Sequence, residues 1–197
     1  MYEVIGSAKT RAFRVLWMLE ELDQDYDHLP ESPGSEEART LSPTGKLPAM
    51  KVDGETLTDS AAILTYLADK HGALTYPAGT LERAYQDGFT HLILDELDAV
   101  LWTAARHSFV LPEGRRVPEV KDSLRWEFGE SLARIADRMK GDWVMGDVFT
   151  VPDILLAHCL IWARAAKFDV TQPELLTFLK RATYRPAYKR AAEAYSA

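Results

Sequence analysis

Two short runs in the first third of the chain hold residues suited to capturing a small peptide: Gly45-Lys46-Leu47-Pro48 and, after one hairpin signal, Leu57-Thr58-Asp59-Ser60. Proline has no N–H, so Pro48 ends a hydrogen-bond ladder, and a cis bond before it turns the Leu47 N–H and C=O toward solvent. An extended peptide can pair with those groups as an added strand does. The segment Ser60-Ala-Ala-Ile-Leu-Thr-Tyr-Leu-Ala has apolar residues at helical spacing, which puts Asp59 or Ser60 at a helix N-terminus. Free backbone N–H groups and the helix dipole favour a carboxylate there. A third run, Ser7-Ala8-Lys9-Thr10, sets two hydroxyls at Cys-x-x-Cys spacing in the turn before a helix. Without thiols it cannot run disulfide exchange, but a hydroxyl that donates to a ligand's sulfur, helped by backbone N–H groups and a nearby cation, favours thiolate over thiol. Taken singly these residues are ordinary N-caps and turn residues; their combination is not.

These groups are positioned by elements that the hydrophobic pattern announces. Short apolar runs at Tyr2 to Ile5, Tyr26 to Leu29, Ala49 to Val52 and Glu55 to Thr58 read as strands, and Thr10 to Leu22 and Ser60 to Lys70 as helices. Asp53-Gly54 is a hairpin turn signal, and the link after the second strand reads as irregular. The order β-α-β, then β-β-α, suits an α/β, thioredoxin-like layer over residues 1–75. After the turn-rich stretch His71 to Gly79, the chain reads as helix throughout: Leu81 to His107, Glu119 to Met139, Pro152 to Lys167, Pro173 to Thr183 and Arg185 to about Tyr195. Residues 82–197 are therefore expected to form an all-α domain. One helix start is unusually well specified, with Thr150 and Asp153 as a capping box, Pro152 in the first turn and Phe149 placed to staple onto Ile154.

Composition narrows the function classes. A chain of 197 residues can bury a real core as one domain or two small ones, and 27% charged with 47% hydrophobic residues is ordinary for a globular protein. The net charge of −7, with no basic stripe, speaks against nucleic acid. A single cysteine, Cys159, excludes an internal disulfide and is expected to be a buried small hydrophobe. The five histidines, at 28, 71, 91, 107 and 158, lack metal-site spacing, so no metal is expected. No stretch has the length of a membrane span or the form of a leader, so a cytoplasmic protein is the expectation.

Four stretches together resemble the cytosolic glutathione transferases, particularly the bacterial members. They are Tyr2-Glu-Val-Ile-Gly-Ser-Ala-Lys-Thr-Arg-Ala-Phe-Arg-Val-Leu, Ser42-Pro-Thr-Gly-Lys-Leu-Pro-Ala-Met, Leu57-Thr-Asp-Ser-Ala-Ala-Ile-Leu and Gly146-Asp-Val-Phe-Thr-Val-Pro-Asp-Ile, in the family's order over nearly the full length. The resemblance implies glutathione as co-substrate. Leu47 would hold its cysteinyl backbone beside cis-Pro48, Lys46 would meet the glycyl carboxylate, and Ser60 with the helix N-terminus would take the γ-glutamyl carboxylate, with Asp59 on the ammonium. Ser7 falls where relatives place a catalytic Ser or Cys, and Thr10 near the position of other activators; a backbone N–H or Arg11 is the remaining choice. Arg11 and Arg14, three apart, can share a helix face; Arg14 reads equally as a site residue or as a salt-bridge residue. Tyr2 begins the first strand instead of following it, so it reads as packing.

On the first long helix of the all-α domain, Leu97, Val100, Leu101 and Ala104 continue an apolar stripe, and Trp102, Arg106, His107, Ser108 and Phe109 cluster at its end. In the family this region borders the electrophile pocket, so Trp102, Arg106, His107 and Phe109 are candidates to line it, for a small, partly apolar electrophile. The implied chemistry is attack by glutathione thiolate on an electrophilic carbon, in a homodimer, with no metal. A glutathione-dependent isomerase, dehalogenase or peroxidase, or a non-catalytic binding protein of the same fold, is the alternative.

Overall fold

The computed structural model describes residues 1–195. The chain groups into two compact units, one of residues 1–78 joined by the described residues from Thr183 onward, the other of residues 79–182.

In the first unit, β1 (Tyr2–Ile5), α1 (Ala12–Glu21), β2 (Tyr26–Leu29), α2 (Glu36–Leu41), β3 (Ala49–Val52), β4 (Glu55–Thr58) and α3 (Ser60–His71) follow in order. The strands form one sheet in the order β2-β1-β3-β4, with β1 parallel to β2 and antiparallel to β3, and β3 antiparallel to β4. All four strands have the bounds expected from the apolar runs. Asp53 and Gly54 both take positive φ, 52° and 84°, as a tight hairpin between right-twisted strands requires. Every residue of α1 from Ala12 to Leu19 is buried. The helix is apolar nearly all round because it is packed by β1, by α3 and by α9 (Pro186–Glu193).

Two features differ from expectation. The link read as irregular contains α2, started by Ser35, whose Oγ accepts from the Ala38 N–H at 3.1 Å, with Glu36 and Glu37 in the first turn. Six residues are too few to display a helical period, so only its cap could have given it away. Residues from Thr183 on, counted with the helical domain on sequence grounds, instead group with the first unit. The reason lies on α1. Arg185 binds Glu21 by two hydrogen bonds of 2.6 Å, Arg190 binds Glu20 at 2.5 Å, and Tyr188 meets the rings of Phe13 and Trp17 edge-on.

The second unit is all helix: α4 (Leu81–Ile93), α5 (Ala99–Ala105), α6 (Val120–Arg138), α7 (Val151–Ala165) and α8 (Pro173–Tyr184). The long helix expected over 81–107 is continuous to Val110 but passes through two π-helical turns, Leu94–Asp98 and Arg106–Val110. At the start of α7 the buried Asp153 carboxylate accepts from the Thr150 N–H at 2.7 Å, the Thr150 hydroxyl at 3.0 Å and the Val144 N–H at 2.7 Å. The aspartate thus closes the expected capping box and also ties down the turn before it. Phe149 stacks edge-on against Trp143. Cys159 is buried, as expected, with its thiol 4.0 Å from an Asp98 carboxylate oxygen.

Candidate functional site

The turn between β1 and α1 carries the three candidate catalytic residues. Gly6 and Ser7 extend the parallel pairing beyond β2, their amides donating to Leu29 O and Glu31 O at 2.8 Å each. Thr10 is tied into the turn, its hydroxyl donating to Ser7 O at 2.7 Å and accepting from the Ala12 N–H at 3.2 Å. It thereby serves α1 as a cap, satisfying the first helical amide. Among the described residues the Ser7 hydroxyl accepts one long bond, 3.3 Å, from the Lys9 N–H, and that bond leaves its own hydrogen available to donate. Ser7, Thr10 and Arg11 are all half-buried.

Sequence reasoning missed the residue that brings this turn against the Leu47–Pro48 edge. Gly6 has φ +138°, and a Cβ there would stand 2.9 Å from the Ala12 Cβ, 3.3 Å from the Leu47 Cβ and 3.6 Å from the Pro48 Cα. Only glycine fits both the dihedral and the close approach. A glycine directly before the candidate hydroxyl, at the end of a strand, was the available signal. The Leu47–Pro48 bond is cis. The Leu47 side chain lies in a small core with Ile5, Ala38 and Ala49, so what it can offer a ligand is its main chain. Lys46 is exposed beside it.

Of the two possible N-caps, Asp59 caps α3. Its carboxylate takes the Ala61 and Ala62 amides at 2.9 and 3.1 Å, and its φ is 72°. Ser60, the first residue of the helix, is 4% exposed, and its Oγ accepts a hydrogen bond of 3.2 Å from Nη1 of the fully buried Arg14. Of the two arginines on the first helix, Arg14 therefore reaches the α3 N-terminus, while Arg11 stays beside the Ser7 turn. Tyr2 is 7% exposed, its phenol 2.9 Å from His71 Nε2 at the end of α3, which is a packing role.

In the second unit Trp102, Arg106 and His107 are half-buried and Phe109 is 70% exposed. Arg106 Nη2 donates to Thr103 Oγ1 at 2.9 Å, and His107 Nδ1 accepts from the Val117 N–H at 3.0 Å. That bond leaves Nε2 as the protonated ring nitrogen of a neutral histidine. Arg116 closes the helix end by donating to Leu111 O at 2.7 Å and Phe109 O at 3.2 Å. The four candidates thus sit on one ordered π turn and the turn before it. Among the described residues no group of three or more His, Cys, Asp or Glu is arranged to hold a metal ion, and no helix is long and apolar enough to cross a membrane.

Comparison with known proteins matches this architecture piece by piece. The family description "Glutathione S-transferase, N-terminal domain" matches residues 4–75, and "Glutathione S-transferase, C-terminal domain" residues 97–186. Glutathione S-transferase GstA of Escherichia coli O157:H7 is 29% identical over 159 residues, 78% of this chain and 76% of that protein. Glutathione S-transferase 1 of Manduca sexta is 28% identical, covering 96% of this chain and 90% of its own. A sphingomonad glutathione S-transferase solved in complex with glutathione superposes with a TM-score of 0.84 at 26% identity over 98% of each chain. With a thioredoxin-like sheet, a cis-proline edge and an all-helical second unit in place, the chain belongs to the glutathione S-transferase family.

Proposed function

We propose that the protein is a glutathione transferase in which the Ser7 hydroxyl donates a hydrogen bond to the sulfur of bound glutathione and so favours its thiolate. The observation that carries this reading is that, among the described residues, the Ser7 hydroxyl is engaged as an acceptor and not as a donor, on a turn held by Gly6 against the cis Leu47–Pro48 edge. Thr10 is the weaker choice because its hydroxyl is occupied as donor and acceptor within the turn; Arg11, half-buried beside it, supplies positive charge. Leu47 holds the cysteinyl backbone next to Pro48, and Lys46 meets the glycyl carboxylate. Ser60 and the α3 N-terminus take the γ-glutamyl carboxylate, with Asp59 placed for the ammonium.

The thiolate attacks an electrophilic carbon of a small, partly apolar substrate received by Trp102, Arg106, His107 and Phe109. The C–S bond forms as the leaving group departs with its bonding pair, and the thiol proton passes to solvent. Orientation of the two reactants and ionisation of the thiol supply most of the catalysis. The working form is a cytoplasmic homodimer pairing the first domain of one subunit with the second of the other. Leu81 and Tyr85, exposed one turn apart on α4, are consistent with a covered face.

The test is the thiolate absorbance of glutathione titrated against pH with wild type, Ser7→Ala and Thr10→Val. A depressed thiol pKa that Ser7→Ala alone abolishes supports the reading. Tight binding with an unshifted pKa points to a non-catalytic binder, and absence of binding rejects the site.

A further inference from the structure

We infer that Arg14 is a positioning residue for the γ-glutamyl carboxylate, acting through Ser60; the inference rests on the glutathione reading above. Arg14 is fully buried on α1, 46 residues away in sequence, yet its Nη1 lies 3.2 Å from Ser60 Oγ at the first residue of α3. A guanidinium can only donate, so in this bond the serine oxygen must accept. The serine hydrogen is then directed elsewhere, and the hydroxyl becomes an outward donor at the end of a helix whose dipole already favours an anion. An O–H that accepts from a cation is also the stronger donor.

Asp59 makes this help necessary. Its carboxylate takes the Ala61 and Ala62 amides, so two of the N–H groups a bound carboxylate would use are occupied, and it adds a negative charge beside the site. The buried guanidinium behind Ser60 opposes that charge and fixes the hydroxyl in the direction an incoming carboxylate needs. A fully desolvated arginine is costly to keep unless its fork has a fixed geometry to hold, and here part of that geometry is the Ser60 oxygen.

The experiment compares the Kd of glutathione with that of γ-aminobutyryl-cysteinylglycine, which lacks only the γ-glutamyl carboxylate, for wild type, Arg14→Met, Arg14→Lys, Ser60→Ala and the Arg14→Met/Ser60→Ala pair. Thermal melts on the same samples establish that each variant is folded. Arg14→Met is expected to weaken glutathione by roughly tenfold, the size of one charge-assisted hydrogen bond, and to leave the analogue unchanged. Arg14→Lys should recover part of the loss, and the pair should lose little more than Ser60→Ala alone. Equal weakening of both ligands, or none, overturns the inference. If Arg14→Met does not fold, Ser60→Ala decides: without a glutathione-selective loss the inference fails. Wild type that binds both ligands equally refutes the role of Arg14 and leaves glutathione binding standing, whereas wild type that binds neither removes the site reading and this inference together.

Discussion

Gly6 and Leu47 approach so closely that a Cβ on the glycine would lie 3.3 Å from the Leu47 Cβ, with the Ala12 Cβ nearer still at 2.9 Å. The turn that carries the candidate hydroxyl and the edge that would carry the ligand backbone are therefore set against each other through a missing side chain. Gly6→Ala would have to bear both the φ of +138° and the collision with Ala12. We expect a stability loss of about 2–4 kcal/mol by urea denaturation, with glutathione affinity falling in parallel. Gly129, in the middle of α6 with nothing within 4 Å of a Cβ, is the contrasting position. Gly129→Ala should stabilise by roughly 0.5–1 kcal/mol, since it removes only backbone entropy. Equal effects at the two sites would refute the packing argument.

The grip of α9 on α1 is uneven. Arg185 meets the largely covered Glu21 with two bonds of 2.6 Å, while the Arg190 side chain is 47% exposed where it meets Glu20. Arg185→Ala should cost about 2 kcal/mol because it strips a bidentate partner from a carboxylate held out of water. Arg190→Ala should cost under about 1 kcal/mol. Denaturation midpoints at low and high salt check the difference; only the Arg190 effect should shrink appreciably with salt.

At the start of α7 the roles within the capping box are also unequal. Asp153 satisfies three donors and Thr150 supplies two of them. Thr150→Ala is expected to lose about 1 kcal/mol. Asp153→Ala leaves buried amides at Val144 and Thr150 without an acceptor and should lose about 3 kcal/mol or more. Thermal melts of the two variants decide the order.

Alkaline pH should loosen the α1 and α9 seam. Burial raises the phenol pKa of Tyr26, with the Glu20 carboxylate adding to it; burial raises that of Tyr188, and pushes that of Tyr195 up to about 12. A raised phenol pKa means that the folded state favours the neutral form. The stability it contributes is complete below the ordinary phenol value of 10.0 and is lost as pH climbs from there toward about 12. Stability measured from pH 9 to 12 should fall steeply in wild type, and less in Tyr195→Phe, which has no proton to lose there.

Much of this was legible from the chain alone, and what was hidden has physical causes. The strands β1 and β3 announced themselves as short, mostly apolar runs, β4 through the Asp53-Gly54 turn that implies a partner strand, and Pro48 because it ends a hydrogen-bond ladder whatever the rest of the fold. Asp59 takes a φ of 72°, which its own preferences do not dictate, so the sequence alone offers Asp59 and Ser60 as equal choices for the cap. The α2 helix was hidden by its length. The π turns at Leu94 and Arg106 add a residue to a helical period that otherwise continues, so the pattern there reads as one helix. The α9 helix was visible as a helix but not as a partner of α1, since amphipathicity shows that a face is covered and not by what. For the same reason Arg14 could not be assigned: its place inside the apolar run from Ala12 to Leu19 marks it as buried, but its bond to Ser60 spans 46 residues and nothing local names that partner.

The pairing of Arg185 with Glu21 spans 164 residues. The neighbours of α1 on β1 and α3 are made before the second unit, whereas α9 is made only after it. The second unit, lying entirely between the two, can form first. A growing chain therefore completes the first unit only after the second has been made, and a chain cut just before α9 would leave the rings of Phe13 and Trp17 without Tyr188.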